Sequence, residues 1–368
     1  MRQYNVIFFD QDLVYQHHDS VSDPGIKNDY VAAQNNTMEI SLTDKVKVGQ
    51  YVSLQSEDYS FFGIVTDAKP EEHDLKVSFK SFLSVFDEDI LFDTDYQKKN
   101  TNDPDGGSKI NEYSLEETLK YIIEDNYVYS DDDLQNLNIV VTATDTVKRW
   151  GLNLTSDTEG AHYCLIGLYK VLIVNAMKNY GVALRVKPDF SNHIINIMIT
   201  TSPRALDIDG NLGNVVVKTL TVDDKPNGTN KLTVYNTTDY SQYIDFYVHP
   251  DKSWSLEDED RIIPVVRDVK GAYPDSTIED PDEAFETAAL DVAYGLLSGQ
   301  TWNNLIEIET SADDEIIKPL ELEFGQLICL HYNDAVYESI LTGIEVTSKS
   351  VLLILGSERI NFTKRRNR

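Results

Sequence analysis

Metal ligation and nucleophilic catalysis both need side chains that converge, so the histidines, cysteines and acidic clusters are the first residues to weigh. His17 and His18 are adjacent, and neighbours on an extended chain point to opposite sides, so they do not make a metal-binding pair. The polar stretch Gln11 to Val31 around them is expected to be a solvated loop. Asp131-Asp132-Asp133 offers three consecutive carboxylates but not the six converging oxygens of a calcium site, so a helix-capping turn is expected. Asp207-Ile208-Asp209-Gly210-Asn211 opens like a calcium loop, yet Lys218 stands at the twelfth position, where a bidentate acid is required. That segment is expected to be a turn. Cys164 and Cys329 lie in apolar runs with no second thiol nearby and read as small buried hydrophobes. His162 precedes Cys164 by two residues at an expected helix start, a poor position from which to take its proton.

The sequence has no His-Glu-x-x-His motif, no nucleophile elbow and no Walker loop. Acidic pairs are too frequent for any two to be chosen as glycosidase carboxylates. No catalytic, cofactor or metal site is therefore expected, and the chain reads as a non-enzyme. Its 62 acidic and 32 basic residues give a net charge of -30, which excludes nucleic-acid binding by phosphate neutralisation. An acidic wall along which DNA passes without sticking is compatible with that charge. Anionic membrane surfaces are disfavoured. The apolar run Val6 to Phe9 is followed by Asp10 and Asp12, and the longest apolar segment, Cys164 to Met177, contains Lys170, so neither a secretory signal nor a membrane anchor is expected. The tail Lys364-Arg365-Arg366-Asn367-Arg368 is a basic cluster in an acidic chain, expected as a disordered end or a clip onto an acidic neighbour.

The elements that would position any site contain a repeat. Val46 to Gln55 and Leu322 to His331 place Gly49-Gln50 and Gly325-Gln326 in one apolar/polar register. The match continues without a net gap: Phe61 to Val65 corresponds to Tyr337 to Leu341, and Leu75, Val77 and Phe79 correspond to Val351, Leu353 and Leu355. Upstream, Met38 to Leu42 resembles Leu305 to Glu309 at a different spacing. Period-2 alternation broken by turns at Ser56-Glu57-Asp58 and Asn333-Asp334 predicts several short strands per copy, so one small β-barrel is used twice. Gly49, Gln50, Gly325 and Gln326 mark the repeated strand, where glycine permits a bulge or a close backbone approach.

Between the copies, Ser114 to Glu117 forms a capping box that opens a helix with Leu115, Leu119, Ile122 and Ile123 on one face. A second helix is expected over Cys164 to Tyr180, stopped by Gly181, with strands at Leu137–Thr142, Val182–Val186 and Ile194–Thr200. Further strands are expected at Val215–Thr221, Lys231–Tyr235, Tyr243–Val248 and Arg261–Val266. Trp254 falls in an acidic loop. Asp280, Pro281 and Glu283 start a third helix with Phe285, Ala288, Ala289, Val292 and Leu296 as its buried stripe. The expected fold is mainly β with an α+β insertion: a first tube-like β-barrel over 1–95, with Phe79, Phe82, Leu83 and Phe86 closing its core, a middle α+β domain over 96–205, a β-rich connection over 206–270, and a helix with a second barrel over 271–368.

That order of modules, carried by Lys47-Val48-Gly49-Gln50-Tyr51-Val52 with Phe61 to Val65 and by Glu323-Phe324-Gly325-Gln326 with Tyr337 to Gly343, resembles the tail hub family of tailed phages. The family includes the baseplate hub of contractile tails and the N-terminal hub of siphophage tail-associated lysins. The resemblance implies a virion structural protein, made in the host bacterial cytoplasm. Its two barrels alternate around a homotrimer as a pseudo-six-fold ring, with DNA passing through the lumen. It implies as partners a distal tail protein ring, the tape-measure protein and tip, receptor-binding or fibre proteins, with lytic activity left to a partner. The competing expectations are a peptidoglycan-degrading endopeptidase with a site in the middle domain, and a carbohydrate-binding module using Trp254 and the 21 tyrosines.

Overall fold

A computed structural model describes residues 3–41, 46–72, 74–93, 99–100, 110–111, 113–130, 136–148, 150, 163–202, 204–221, 230–249, 253–259, 265–274, 278–297, 304–314 and 317–356. The expected acidic-triplet turn at 131–133, His162, Pro226 to Gly228 and the basic tail lie outside these residues, as does most of the expected 261–266 strand. The chain is mainly β, in several sheets with three α-helices among the described residues.

Seven strands open the chain: β1 (Gln3–Phe9), β2 (Tyr15–Ser22), β3 (Ile26–Asp29), β4 (Asn36–Ser41), β5 (Tyr51–Gln55), β6 (Ser60–Pro70) and β7 (Asp74–Ser81). Six of them form a sheet in the order β2-β1-β5-β6-β7-β4. Its inward residues alternate as the sequence demands, with Tyr4, Val6 and Phe8 of β1 and Val77 and Phe79 of β7 fully buried. The expected loop over 11–31 is instead two strands. β2 escapes a periodicity reading because it is a polar edge strand, yet it pairs with β1 from Gln3 opposite Ser22 to Phe9 opposite Tyr15. The two ends of the sheet meet where the Ser41 amide donates to Asp19 Oδ2 at 2.8 Å.

A second sheet runs 205–209, 327–332, 335–346, 350–355, 305–311, 215–221. It repeats the first with an offset of 276 residues (327 minus 51): the pairs Tyr51/Ile64, Val52/Gly63 and Leu54/Phe61 recur as Leu327/Ile340, Ile328/Ser339 and Leu330/Tyr337. The irregularity between Val65 and Asp67 recurs between Leu341 and Gly343. Upstream the sequence match is out by three residues. Asn36 faces Phe79 and Ile306 faces Leu355, so Met38 corresponds to Ile308 and not to Leu305. The copies diverge at one edge, where β1 runs antiparallel to β5 while 205–209 runs parallel to 327–332. One continuous apolar core serves both sheets.

Helix α1 (Leu115–Tyr127) begins with the expected reciprocal Ser114/Glu117 box and buries Leu115, Leu119, Ile122 and Ile123. It packs on a three-stranded sheet ordered 139–143, 194–201, 182–189. The expected helix over 164–180 is split. Residues 163–167 form a strand against Asp89–Asp93, a π-turn covers Leu168–Ile173, and α2 (Val174–Tyr180) follows, ended by Gly181 at φ +68°. A short run of apolar residues reads equally as buried strand or buried helix, and pairing with 89–93 decides it. Phe82, Leu83 and Phe86 form a 3-10 turn packed in this middle core, whereas Phe79 lies in the core of the β sheets. Strands 215–221 and 231–248 also part company: the former joins the second sheet, while the latter belongs to a four-stranded sheet with Trp254–Ser255 and 267–272. On that sheet lies α3 (Pro281–Leu297), with Phe285, Ala289, Ala293 and Leu297 against Leu232, Val234 and Phe246. Ala288, Val292 and Leu296 flank this contact, partly buried.

Candidate functional site

The four repeat markers fall in two superposable turns. Gly49 (φ +86°) and Gly325 (φ +77°) both adopt the left-handed conformation, which suits glycine. The Gly49 amide donates to the Val65 carbonyl and the Gly325 amide to that of Leu341, each at 2.9 Å. The Gln50 side chain folds back to accept from the Lys47 amide at 2.8 Å, and Gln326 accepts from that of Glu323 at 3.2 Å. Glutamine is thus used to close the turn from its own side chain.

Among the described residues, the second turn is docked on other parts of the chain and the first is not. Phe324 packs against both cores and lies 5.4 Å from the Tyr30 ring. Glu323 pairs with Arg185: Nη1 donates to Oε1 at 2.9 Å, Nη2 lies 2.8 Å from Oε2 as an ion-pair contact, and the Ser202 hydroxyl donates to Oε2 at 3.1 Å. A Cβ on Gly325 would meet the Gly181 carbonyl at 2.9 Å.

Tyr30 joins the parts. Its amide donates to the Thr342 carbonyl at 2.8 Å, its carbonyl accepts from the Tyr169 hydroxyl at 2.6 Å, and its phenol oxygen accepts from the Leu184 amide at 3.0 Å. Burial pushes the Tyr30 phenol far above the ordinary tyrosine range, so it stays neutral. Just before it, β3 leaves the first sheet and adds to the second, with Ile26 opposite Val346 and Asp29 opposite Gly343. Lys27 to Glu345 at 3.1 Å and the Ser348 amide to Asp23 at 2.6 Å fasten this clasp. Nothing in the sequence pattern pointed to Tyr30, because its role lies in three hydrogen bonds to distant segments, two from its backbone and one at its phenol.

Among the described residues the side chains weighed for chemistry do not converge. Among the described residues no group of three or more His, Cys, Asp or Glu is placed to hold a metal ion. His17 sits in β2 with its ring stacked on Phe8, while His18 bonds the Tyr15 hydroxyl at 2.6 Å. The segment expected as a turn is strand as far as Asp209, paired with 327–331, and the turn begins only after it, where Asp209 accepts from the Asn211 amide at 2.9 Å. Cys329 is half-buried, and burial, with the charges of Glu338 and Asp207, raises its thiol pKa, so it is a poor nucleophile. A cleft of about 410 Å³ opens beside the Arg185–Glu323 pair, lined by Gln55, Phe62, Phe190 and Lys187. Trp254 is no exposed sugar platform: its ring packs edge-on against Phe246 and Tyr294. Two polar networks the sequence did not reveal are structural. Fully buried Glu116 accepts from the Thr144 hydroxyl and from the amides of Thr146 and Val147. Asp245 sits between Lys231 and Thr233.

No family model and no curated protein matches the sequence. Solved structures do. The 43 kDa tail protein of prophage MuSo2 from Shewanella oneidensis is 12% identical, with 96% of this chain and 98% of that chain covered and a TM-score of 0.50. The prophage tail protein gp18 from Listeria monocytogenes EGD-e is 10% identical over 99% and 97% of the two chains, TM-score 0.48. A chain of the phage P2 baseplate, in its activated conformation with Ca, is 12% identical over 98% and 100%, TM-score 0.45. Identities this low report fold alone, and over 96% of its length this chain shares the fold of a prophage tail protein.

Proposed function

We propose that this chain is a structural hub of a phage or prophage tail, a non-enzymatic subunit of a homotrimeric ring at the tail tip or baseplate. The observation that carries the proposal is the duplicated three-strand unit, 51–79 and 327–355, which repeats pairing register, bulge position and Gly-Gln turn at an offset of 276 residues. Three copies of a two-module subunit are the smallest closed ring that presents six like modules to a six-fold tube. Each sheet is proposed to close as a small barrel. In the first, the Ser41–Asp19 contact joins the two edges. In the second, strands 205–209 and 215–221 lie at opposite ends of the sheet, yet the link between them, residues 210–214, can span at most about 18 Å. The division at about residues 95, 205 and 270 is proposed as the domain plan, with 205–221 interleaved into the last barrel. Above the ring would sit the distal tail protein ring and the tape-measure protein, and below it the tip or fibre proteins. DNA would cross an acidic lumen.

Light scattering across a concentration series, with negative-stain averages of the same sample, tests the reading. A trimer with six similar densities and an open centre is expected. A three-fold particle with no channel would sink it.

A further inference from the structure

The two modules match in pairing and turn geometry but differ in what covers them. On the second, a continuous surface made by the 323–326 turn and the 342–346 edge is occupied by this chain's own β3, Tyr30 and the 181–185 segment. Subtracting 276 locates the same surface on the first module, at Lys47 to Gln50 and Thr66 to Pro70. There, among the described residues, nothing equivalent is seated. Val48, counterpart of the docked Phe324, is 63% exposed. A Cβ on Gly49 would find only the Gln11 amide nitrogen at 3.7 Å, where Gly325 abuts the Gly181 carbonyl. Among the described residues no strand pairs with 67–70 on the side that β3 occupies at 343–346.

We propose that the surface formed by Lys47, Val48, Gly49 and the edge Thr66 to Lys69 binds a second copy of this chain, which adds an antiparallel strand to that edge and covers the turn. This rests on the hub reading and specifies its contact. A module-to-module contact already made once within the chain is repeated head to tail between chains, and repetition of one heterologous contact closes a ring. Charge favours the same occupant. Lys47 stands where the docked turn carries Glu323, so the turn presents a positive charge to a chain with 62 acidic and 32 basic residues, while Lys69 on the adjoining edge is paired with Asp67. An open edge with an apolar tip on the adjoining turn is also a recognised template for strand addition. Pro70 lacks an amide proton, which limits the added strand to the stretch before it.

Val48→Asp and Lys47→Glu alter exposed side chains, so circular dichroism and the thermal midpoint of the variants should match the parent. Light scattering should show the double variant associating at least about tenfold more weakly, and hydrogen exchange of the 66–69 amides in the parent should slow as oligomer forms. A double variant that assembles like the parent, or 66–69 amides that exchange equally fast in monomer and oligomer, would overturn this contact while leaving a ring seen by negative stain, and hence the hub reading, intact. A parent chain that stays monomeric at every concentration and forms no ring on the grid would overturn both.

Discussion

The Tyr30 hydroxyl has one structural task, accepting the Leu184 amide inside a buried junction. Tyr30→Phe leaves that amide without a partner and should cost about 1–3 kcal/mol in urea unfolding, the range for an orphaned buried donor. The two turn glycines should separate in the same assay. Gly49→Ala meets only the left-handed backbone penalty of about 1–2 kcal/mol, whereas Gly325→Ala adds a collision with the Gly181 carbonyl and should lose clearly more. At Asp245, burial by itself would raise the pKa. Hydrogen bonds from Lys231 and Thr233 and the charges of Lys231 and Arg267 outweigh it and hold the carboxyl below the ordinary aspartate range. The stabilisation is fully present above the unfolded-state aspartate value and is lost as pH falls through the lowered folded-state value. Asp245→Asn should therefore destabilise at neutral pH, and the difference from the parent should shrink as pH falls below the ordinary aspartate range, as followed by thermal midpoint against pH. Of these residues only the glycines were legible in the sequence, because a left-handed turn restricts residue type. Tyr30 and Asp245 act through partners that only the tertiary structure supplies.

Among the elements, those carrying their own local signal were read correctly: α1 from its capping box, α3 from Asp280 and Pro281, and the repeated strands from alternation. Elements defined by a distant partner were not. β2 is polar because it is an edge, and β3 is four residues long and exists as a strand only against 343–346. The 163–167 strand hides in an apolar run that continues into a helix. β3 is the element whose loss should tell most about the join between modules. Ile26 is fully buried in the shared core, so Ile26→Ala should cost about 2–5 kcal/mol. Because β3 fastens one sheet to the other, hydrogen exchange in this variant should rise at 343–346, while the 194–201 strand, in the middle core, keeps its protection. Equal loss in both would mean that β3 is ordinary packing and not a join.

For the whole molecule, sequence reasoning reached the duplicated sheet because the repeat preserves register, and it missed the asymmetry of the two copies because burial is not written in a local pattern. That asymmetry is what a ring subunit needs, since a module with both its turn and its edge already covered could not pass the contact on. The charge of -30 belongs to this scale too. Repulsion between the chain and phosphate is distributed over the entire surface, so a few lysines such as Lys47 and Lys69 cannot reverse it. Fluorescence anisotropy with labelled duplex DNA should show no binding even at about 50 mM salt, where counterion release would most favour a basic groove. Binding that weakens steeply with added salt would reveal a cationic track through the assembly, and the proposed acidic lumen would then have to be abandoned in favour of a surface that grips DNA.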